Sequence, residues 1–268
     1  MSLEEIDRQL ALDVSEKAAQ NLLRIRREGF LKGESGRALS DVGDRISEEI
    51  IRSMIESERP DDAILSEEQM TEDQRRFYAE RVWIIDPLDG SREFGTEANA
   101  DWAIHVALWN RSQSDTNGFH EGKIALSVVT IPATGETYTS FWTQKRDYDI
   151  ETPIRIVVSN TRAPEWLSDL GAYLNVTLLP RGSAGVKAME VVAGRADAYV
   201  HSGGQYEWDS AAPVGVSLAA GLHASRLDGT PLRYNQPDPY LPDLVICKKT
   251  LAPLLLEAIW KVNGTNAI

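Results

Sequence analysis

Asp86 and Asp89 stand three residues apart in Arg81-Val-Trp-Ile-Ile-Asp-Pro-Leu-Asp-Gly-Ser-Arg-Glu-Phe-Gly95, and the residues around them dictate how they are presented. Val82 to Ile85 is a short apolar run that reads as a buried strand. Pro87 has no amide hydrogen and forces Asp86 out of helical geometry, so the strand is expected to end there in a loop. Both carboxylates then ride on one tight loop with Gly90 and Ser91 behind them. Two carboxylates held that close repel each other unless a cation lies between them. Hard oxygen ligands suit Mg²⁺, which is held by few carboxylates and completed by water and phosphate oxygens. On these residues alone, a strand-ending Asp-Pro turn with two solvated acids stays open as the alternative.

The stretch resembles the signature W-I-x-D-P-[IL]-D-G-[ST] of the lithium-sensitive, Mg²⁺-dependent inositol monophosphatase superfamily. Its continuation Gly90-Ser91-Arg92-Glu93-Phe94 is similar to the D-G-T-[KR]-E-F form of the 3′(2′),5′-bisphosphate nucleotidase branch, with serine in place of threonine. Ser66-Glu67-Glu68, delivered by the short strand Ala63–Leu65, is similar to the family's G-E-E. The separation of Asp44 from Glu67 matches T-x-x-D…G-E-E, with Asp41 where threonine is expected. Glu207-Trp208-Asp209-Ser-Ala-Ala212 resembles W-D-x-A, and Gly182-Ser183-Ala-Gly185 resembles G-[ST]-A-x.

The resemblance implies a set of roles. Glu67, Asp86, Asp89, Asp209 and the Leu88 carbonyl would collect two or three Mg²⁺ ions. Ser91, hydrogen-bonded to Glu67 or Asp44, would orient and help deprotonate an attacking water. Gly90, Ser91, Arg92, Ser183, Lys187 and His201 would contact substrate, with Glu68 an outer neighbour. The implied reaction removes the 3′-phosphate of 3′-phosphoadenosine 5′-phosphate to give AMP in sulfate assimilation, with the sulfate-bearing analogue as a second substrate. Inositol 1-phosphate or fructose 1,6-bisphosphate is the alternative substrate class. The implied fold is α/β, a two-lobe layered α-β-α-β-α sandwich like that of inositol monophosphatase and fructose-1,6-bisphosphatase, with a homodimer as the common assembly.

Read without that resemblance, several of these residues have plainer uses. Asp41 and Asp44, placed just before a helix, would cap it, as Asp209 and Ser183 would cap theirs. Ser183 could equally offer a helix start to an anion. Glu67 and Glu68 would be a solvated loop, and Lys187 a solvated helix lysine. His105, in the alternating strand Asp101–Trp109, reads as a packed strand histidine.

The elements that must carry these residues follow from periodicity. Ser2 with Glu5 forms a capping box ahead of Ile6, Leu10, Val14, Ala18, Leu22 and Ile25, a helix ending near Gly29. A loop Lys32–Asp41 leads to a helix burying Ile46, Ile50, Met54 and Ile55 and closed by Pro60. Residues 70–80 read as a polar connection and 110–122 as a hairpin loop. Strands 123–131 and 136–142 complete an antiparallel ladder. Residues 143–153 are charged and irregular, dividing an N-terminal α+β lobe (1–150) from a C-terminal α/β lobe (151–268). The second lobe reads as strand 154–158, helix 164–173, strand 176–179, helix 186–193 and a strand ending at His201. Gly203-Gly204 then bends the chain into a helix with Pro213 in its first turn, followed by strand 222–227. The segment Tyr234–Pro242 walls the nucleotide pocket or is a simple surface loop.

Composition sets the outer bounds. The 268 residues carry 42% apolar and 26% charged residues, ordinary for a soluble globular chain, and no apolar run reaches a membrane span. The net charge of −13 excludes a general nucleic-acid surface and disfavours a regulatory, RNA-associated role, which would need a basic face or a lost carboxylate. It also repels an anionic substrate, which bound Mg²⁺ would offset locally. Cys247 is the single cysteine, in the apolar run Leu244–Cys247, so it reads as strand core in a reducing cytoplasm. His120 and His223 show no zinc spacing.

Overall fold

The computed structural model describes residues 2–67, 74–112, 122–142 and 149–266. Helix α1 (Leu3–Leu31) starts on the expected capping box: Glu5 N donates to Ser2 Oγ at 3.2 Å and Ser2 N to Glu5 Oε2 at 2.7 Å. Helix α2 spans Gly36–Glu58, so the expected loop through Asp41 shrinks to residues 32–35. Its first turns bury only Leu39, Ser40, Gly43 and Asp44, too polar a face to announce a helix by hydrophobicity. Asp41 and Asp44 therefore lie inside the helix and cap nothing. Asp41 is exposed and paired with Arg37 at 3.7 Å, while Asp44 is buried.

Both helices pack on one face of a five-stranded sheet ordered β1 (Ala63–Ser66), β2 (Arg81–Asp89), β3 (Ala103–Arg111), β4 (Gly122–Ile131) and β5 (Glu136–Thr139). The β1–β2 pair is parallel and the others antiparallel. Strand β2 does not stop at Asp86. It runs on to Asp89, and Pro87 is absorbed by a register slip against β3 between Asp86 and Asp89. A single turn, α3 (Ser91–Phe94), follows.

Against the opposite face of that sheet lie α4 (Ala184–Val192) and α5 (Glu207–Ala219). Beyond them is a second sheet, ordered β7 (Val176–Arg181), β6 (Ile154–Ser159), β8 (Ala198–Tyr206), β10 (Tyr240–Cys247) and β9 (His223–Ser225). Helix α6 (Ala252–Asn266) covers its outer face together with Glu165–Ala172, which winds as a 3₁₀ helix rather than the expected α-helix. The layers are α-β-α-β-α, and one apolar cluster joins Ile84 and Trp109 of the first sheet to Tyr199 and Ile246 of the second through Met189 and Ala211. The first sheet ends at Thr139 and the second begins at Ile154; residues 143–148 of the connection, and most of the 110–122 loop, lie outside the described residues. Cys247 is buried strand core. No helix among the described residues is long and apolar enough to cross a membrane.

Two further expectations change. Strand β8 does not end at His201: it continues through Gly203 and Gly204, whose φ values of 103° and 92° let it bend while β10 stays paired across a register slip. Pro213 is the seventh residue of α5, not in its first turn, so the carbonyl of Asp209 loses its i+4 amide donor.

The close seating of α5 on β4 is set at Gly215, where any side chain would run into Ser127 and Ile124. Gly215→Val is expected to cost about 1–3 kcal/mol by overpacking, read as a melting temperature lower by several degrees. An unchanged melting temperature would contradict this packing.

Candidate active site

The parallel pair β1–β2 aligns Ser66 with Ile85, so the ends of both strands open at the same edge of the sheet. There Glu67 leaves β1, and the slipped end of β2 presents Asp86 and Asp89. From the second half, the first turn of α5 brings Asp209. One carboxylate oxygen from each of Asp86, Asp89 and Asp209 lies within 4.8 Å of the others. Glu67 lines the same cavity but is exposed, outside this trio, and acts on Asp86 through its charge. Glu68 lies outside the described residues.

The electrostatics of the trio are unequal. Burial, then repulsion by Glu67, Asp89, Asp209 and Asp44, pushes the Asp86 carboxyl well above the usual range. Its Oδ1 accepts from Leu88 N at 3.1 Å, but its buried Oδ2 has no hydrogen-bond partner. Burial pushes Asp209 up to about 6, aided by Asp89 and opposed by the Tyr206 amide, which donates to Asp209 Oδ2 at 2.6 Å. Asp89 is also buried, yet His105, Lys187 and Ser183 outweigh that and hold it well below the usual carboxylate range. Ser183 Oγ donates to Asp89 Oδ2, as does Gly185 N at 2.7 Å. The orphaned Asp86 oxygen beside two more carboxylates fits a hard divalent cation, which would meet that oxygen and cancel the repulsion.

Ser91 Oγ donates to Leu88 O at 3.0 Å and, at 3.4 Å, to Asp44 Oδ1. The surrounding cavity, of about 320 Å³, is also lined by Gly90, Arg92, Ser183, Lys187 and His201. A larger groove, about 630 Å³, runs between α1 and the β4–β5 hairpin and holds none of these acids.

Several either-or readings resolve. Asp209 holds the helix start through Tyr206 N and also faces the other acids. Ser183 caps α4, accepting from Val186 N at 3.0 Å, while its hydroxyl also donates to Asp89. Lys187 is not solvated: it is buried, its Nζ donating to Ser183 O at 2.5 Å and Gly182 O at 3.4 Å, 5.3 Å from the Tyr199 ring centre. Burial lowers its pKa, against the charges of Asp89 and Asp209. His201 is buried, with Nε2 2.9 Å from Gly204 O.

The segment after Tyr234 does not wall the cavity. Asn235 N and Gln236 N donate to Glu207 Oε2 and Oε1 at 2.5 and 2.7 Å. Buried Arg76, on the 3₁₀ turn Gln74–Phe77 within the expected polar connection, donates to Asn235 Oδ1 and Gln236 O at 3.1 and 2.8 Å. This clamp ties the chain downstream of Glu67 to the helix start that carries Asp209.

Some cavity residues gave no sequence signal. Ser159–Arg162, Tyr199 and Gln205 line it, and Glu93 accepts from Asn160 Nδ2 at 3.0 Å. His105 does more than pack: Nε2 is 3.3 Å from Asp89 Oδ2, close but not aligned as a hydrogen bond, and Nδ1 is 3.0 Å from Trp208 O. The cue was alternation, since His105 sits opposite Asp86 in the β2–β3 register.

A model of the inositol monophosphatase family matches residues 2–263 of this chain. A 3′-phosphoadenosine 5′-phosphate phosphatase of Mycobacterium leprae is 50% identical over 262 residues, 96% of this chain and 94% of its own. Among solved structures, inositol monophosphatase II of Staphylococcus aureus superposes with a TM-score of 0.76 at 17% identity, covering 97% of this chain and 95% of its own. CysQ of Bacteroides thetaiotaomicron gives 0.75 at 23% identity, covering 91% and 97%.

The unequal carboxylates generate a test that needs no turnover. A divalent cation is expected to raise the melting temperature of the wild type, by the equivalent of about 2.7 kcal/mol at a hundredfold excess over Kd. Asp86→Asn, which removes a buried repelling charge, is expected to raise the cation-free melting temperature and abolish that cation-dependent rise. A variant less stable than wild type without cation, yet still stabilised by it, would contradict the account.

Proposed function

Because the chain belongs to the inositol monophosphatase family, we propose that it is a Mg²⁺-dependent phosphatase that removes the 3′-phosphate of 3′-phosphoadenosine 5′-phosphate to give AMP. The observation that carries the reading is the convergence of Asp86, Asp89 and Asp209 on one point with a buried Asp86 oxygen left unpaired. The substrate rests on the relative at 50% identity, whose name gives that activity. The single buried cysteine supports a reducing, cytoplasmic setting.

In this proposal two or three Mg²⁺ ions are held by Asp86, Asp89 and Asp209, with Glu67 and the Leu88 carbonyl completing the set. Bound there, Mg²⁺ supplies the acidity that makes water a nucleophile near neutral pH and the charge that meets the phosphoryl oxygens. The protein's share is positioning and proton movement. Ser91 Oγ, which can turn its single proton from Leu88 O to Asp44 Oδ1, would accept a proton from the attacking water as it gives its own to that carboxylate. Ser183, Gly185 and His105 keep Asp89 ionised and fixed, so its geometry needs little reorganisation during the reaction. Lys187, tied to two backbone carbonyls, keeps one wall of the cavity positive. Arg92 and Arg162, exposed at the rim, are placed to meet the second phosphate of a bisphosphorylated nucleotide. The division near residue 150 belongs to the same proposal, one lobe supplying Glu67, Asp86 and Asp89, the other Asp209 and much of the substrate wall.

Phosphate release from a panel of nucleotide, inositol and sugar phosphates tests this. Turnover is expected to require Mg²⁺, to stop on chelation, and to fall with excess Ca²⁺, a larger ion of looser geometry. The kcat/KM for 3′-phosphoadenosine 5′-phosphate is expected to exceed that for inositol 1-phosphate by at least about tenfold, the equivalent of 1.4 kcal/mol. Full turnover after exhaustive chelation, or a preference for inositol 1-phosphate, would overturn it.

A further inference from the structure

His105 lies on β3 opposite Asp86 of β2, with none of its surface exposed, and its ring reaches both halves of the molecule. Nδ1 is 3.0 Å from Trp208 O, in the first turn of α5 and one residue before Asp209. A carbonyl oxygen only accepts, so Nδ1 carries the proton and donates it there. The same ring stands 3.9 Å from Asp86 Oδ2 through Nδ1 and 3.3 Å from Asp89 Oδ2 through Nε2. Glycine at 185 makes room for it, since a Cβ there would run into Nε2.

The neighbouring side chains of that turn do not duplicate this link. Among the described residues, Glu207 holds Asn235 and Gln236, Asp209 takes the Tyr206 amide, and Ser210 meets the Tyr234 hydroxyl, all within the second half. Asp209 is therefore fixed with respect to its own helix start. His105 supplies the hydrogen bond that ties this start to the strands presenting Asp86 and Asp89. A cation site needs its carboxylate oxygens at set distances, while the acids, left to themselves, repel one another. A group that holds them to that spacing contributes to cation affinity without touching the cation.

Resting on the reading of these acids as a divalent-cation site, we infer that His105 is a positioning residue that sets the separation of Asp209 from Asp86 and Asp89 through Trp208 O. This role is distinct from the hold of Ser183 and Gly185 on Asp89, because it acts on the acid that comes from the other half. Removing an outer partner of this kind lowers metal affinity by about tenfold to a hundredfold.

The test is the Kd for Mn²⁺, read from the loss of the free ion's paramagnetic resonance signal, in wild type, His105→Leu, His105→Asn and His105→Gln. Leucine has no donor. An asparagine amide ends near the place of Nδ1 and a glutamine amide near that of Nε2, so asparagine keeps the bond to Trp208 O and glutamine does not. The leucine and glutamine variants are expected to bind Mn²⁺ about tenfold to a hundredfold more weakly than wild type, and the asparagine variant nearly as well as wild type. The contrast between asparagine and glutamine stands even where the leucine variant does not fold. A histidine that only packs would lower the melting temperatures and leave every Kd at the wild-type level. That result, or an asparagine variant as weak as the glutamine one, would overturn the assignment while leaving the cation site intact. Failure of the cation reading has a different signature, no Mn²⁺ binding by wild type, and it would overturn the role of His105 as well.

Discussion

The repulsion among Asp86, Asp89 and Asp209 is the constraint around which this molecule is built. One oxygen from each is held within 4.8 Å of the others, largely out of water, where like charges are costly. A chain folding only for stability would not place them so. The surrounding structure divides the cost unequally. Asp89 is given two donors, a nearby histidine and a buried lysine, and stays ionised, whereas Asp86 keeps an unpaired oxygen and an elevated pKa. That asymmetry suits the cluster to a divalent cation, which would cancel the repulsion.

Holding three acids together needs rigidity from both halves. Two come from a strand end bent by a register slip around Pro87, and the third from a helix pressed between the two sheets. Gly215 and Gly185 mark where that central layer lies closest to the first sheet, against Ser127 and against His105. The clamp of Arg76 and Glu207 on the Asn235–Pro237 turn joins the far end of the Glu67 segment to the first turn of α5. Asn235 holds a φ of 58°, a left-handed conformation uncommon outside glycine, while fully buried between those two partners. Buried like charges meet at one cavity, as expected where local rules give way to function.

The sequence made the acid loop legible because Asp-Pro after an apolar run is a local signal, and the strands and most helices were legible from their periodicity, while their layering as α-β-α-β-α was implied by the family resemblance of the motifs. What escaped was decided by tertiary context. The start of α2 was hidden since its inward face there is Leu39, Ser40, Gly43 and Asp44, a single large apolar residue among small and polar ones. A lysine in a helix is ordinarily solvated, and nothing local to Lys187 shows that its ammonium turns back onto the Ser183 carbonyl. His105 and Gln205 are ordinary strand residues until the opposite layer is in place. The Tyr234–Pro242 segment read as a pocket wall from its aromatic residues, but its buried hydrogen bonds run to Glu207 and Arg76.

The most direct test of the central claim is to locate the cation. Crystals grown or soaked with Mn²⁺, an anomalous scatterer that substitutes for Mg²⁺, would give an anomalous difference map that shows the ion without reference to activity. The account predicts a strong peak bounded by Asp86, Asp89 and Asp209, with the formerly unpaired Asp86 oxygen among its ligands. No peak there, or a peak elsewhere with the three carboxylates unchanged, would contradict it.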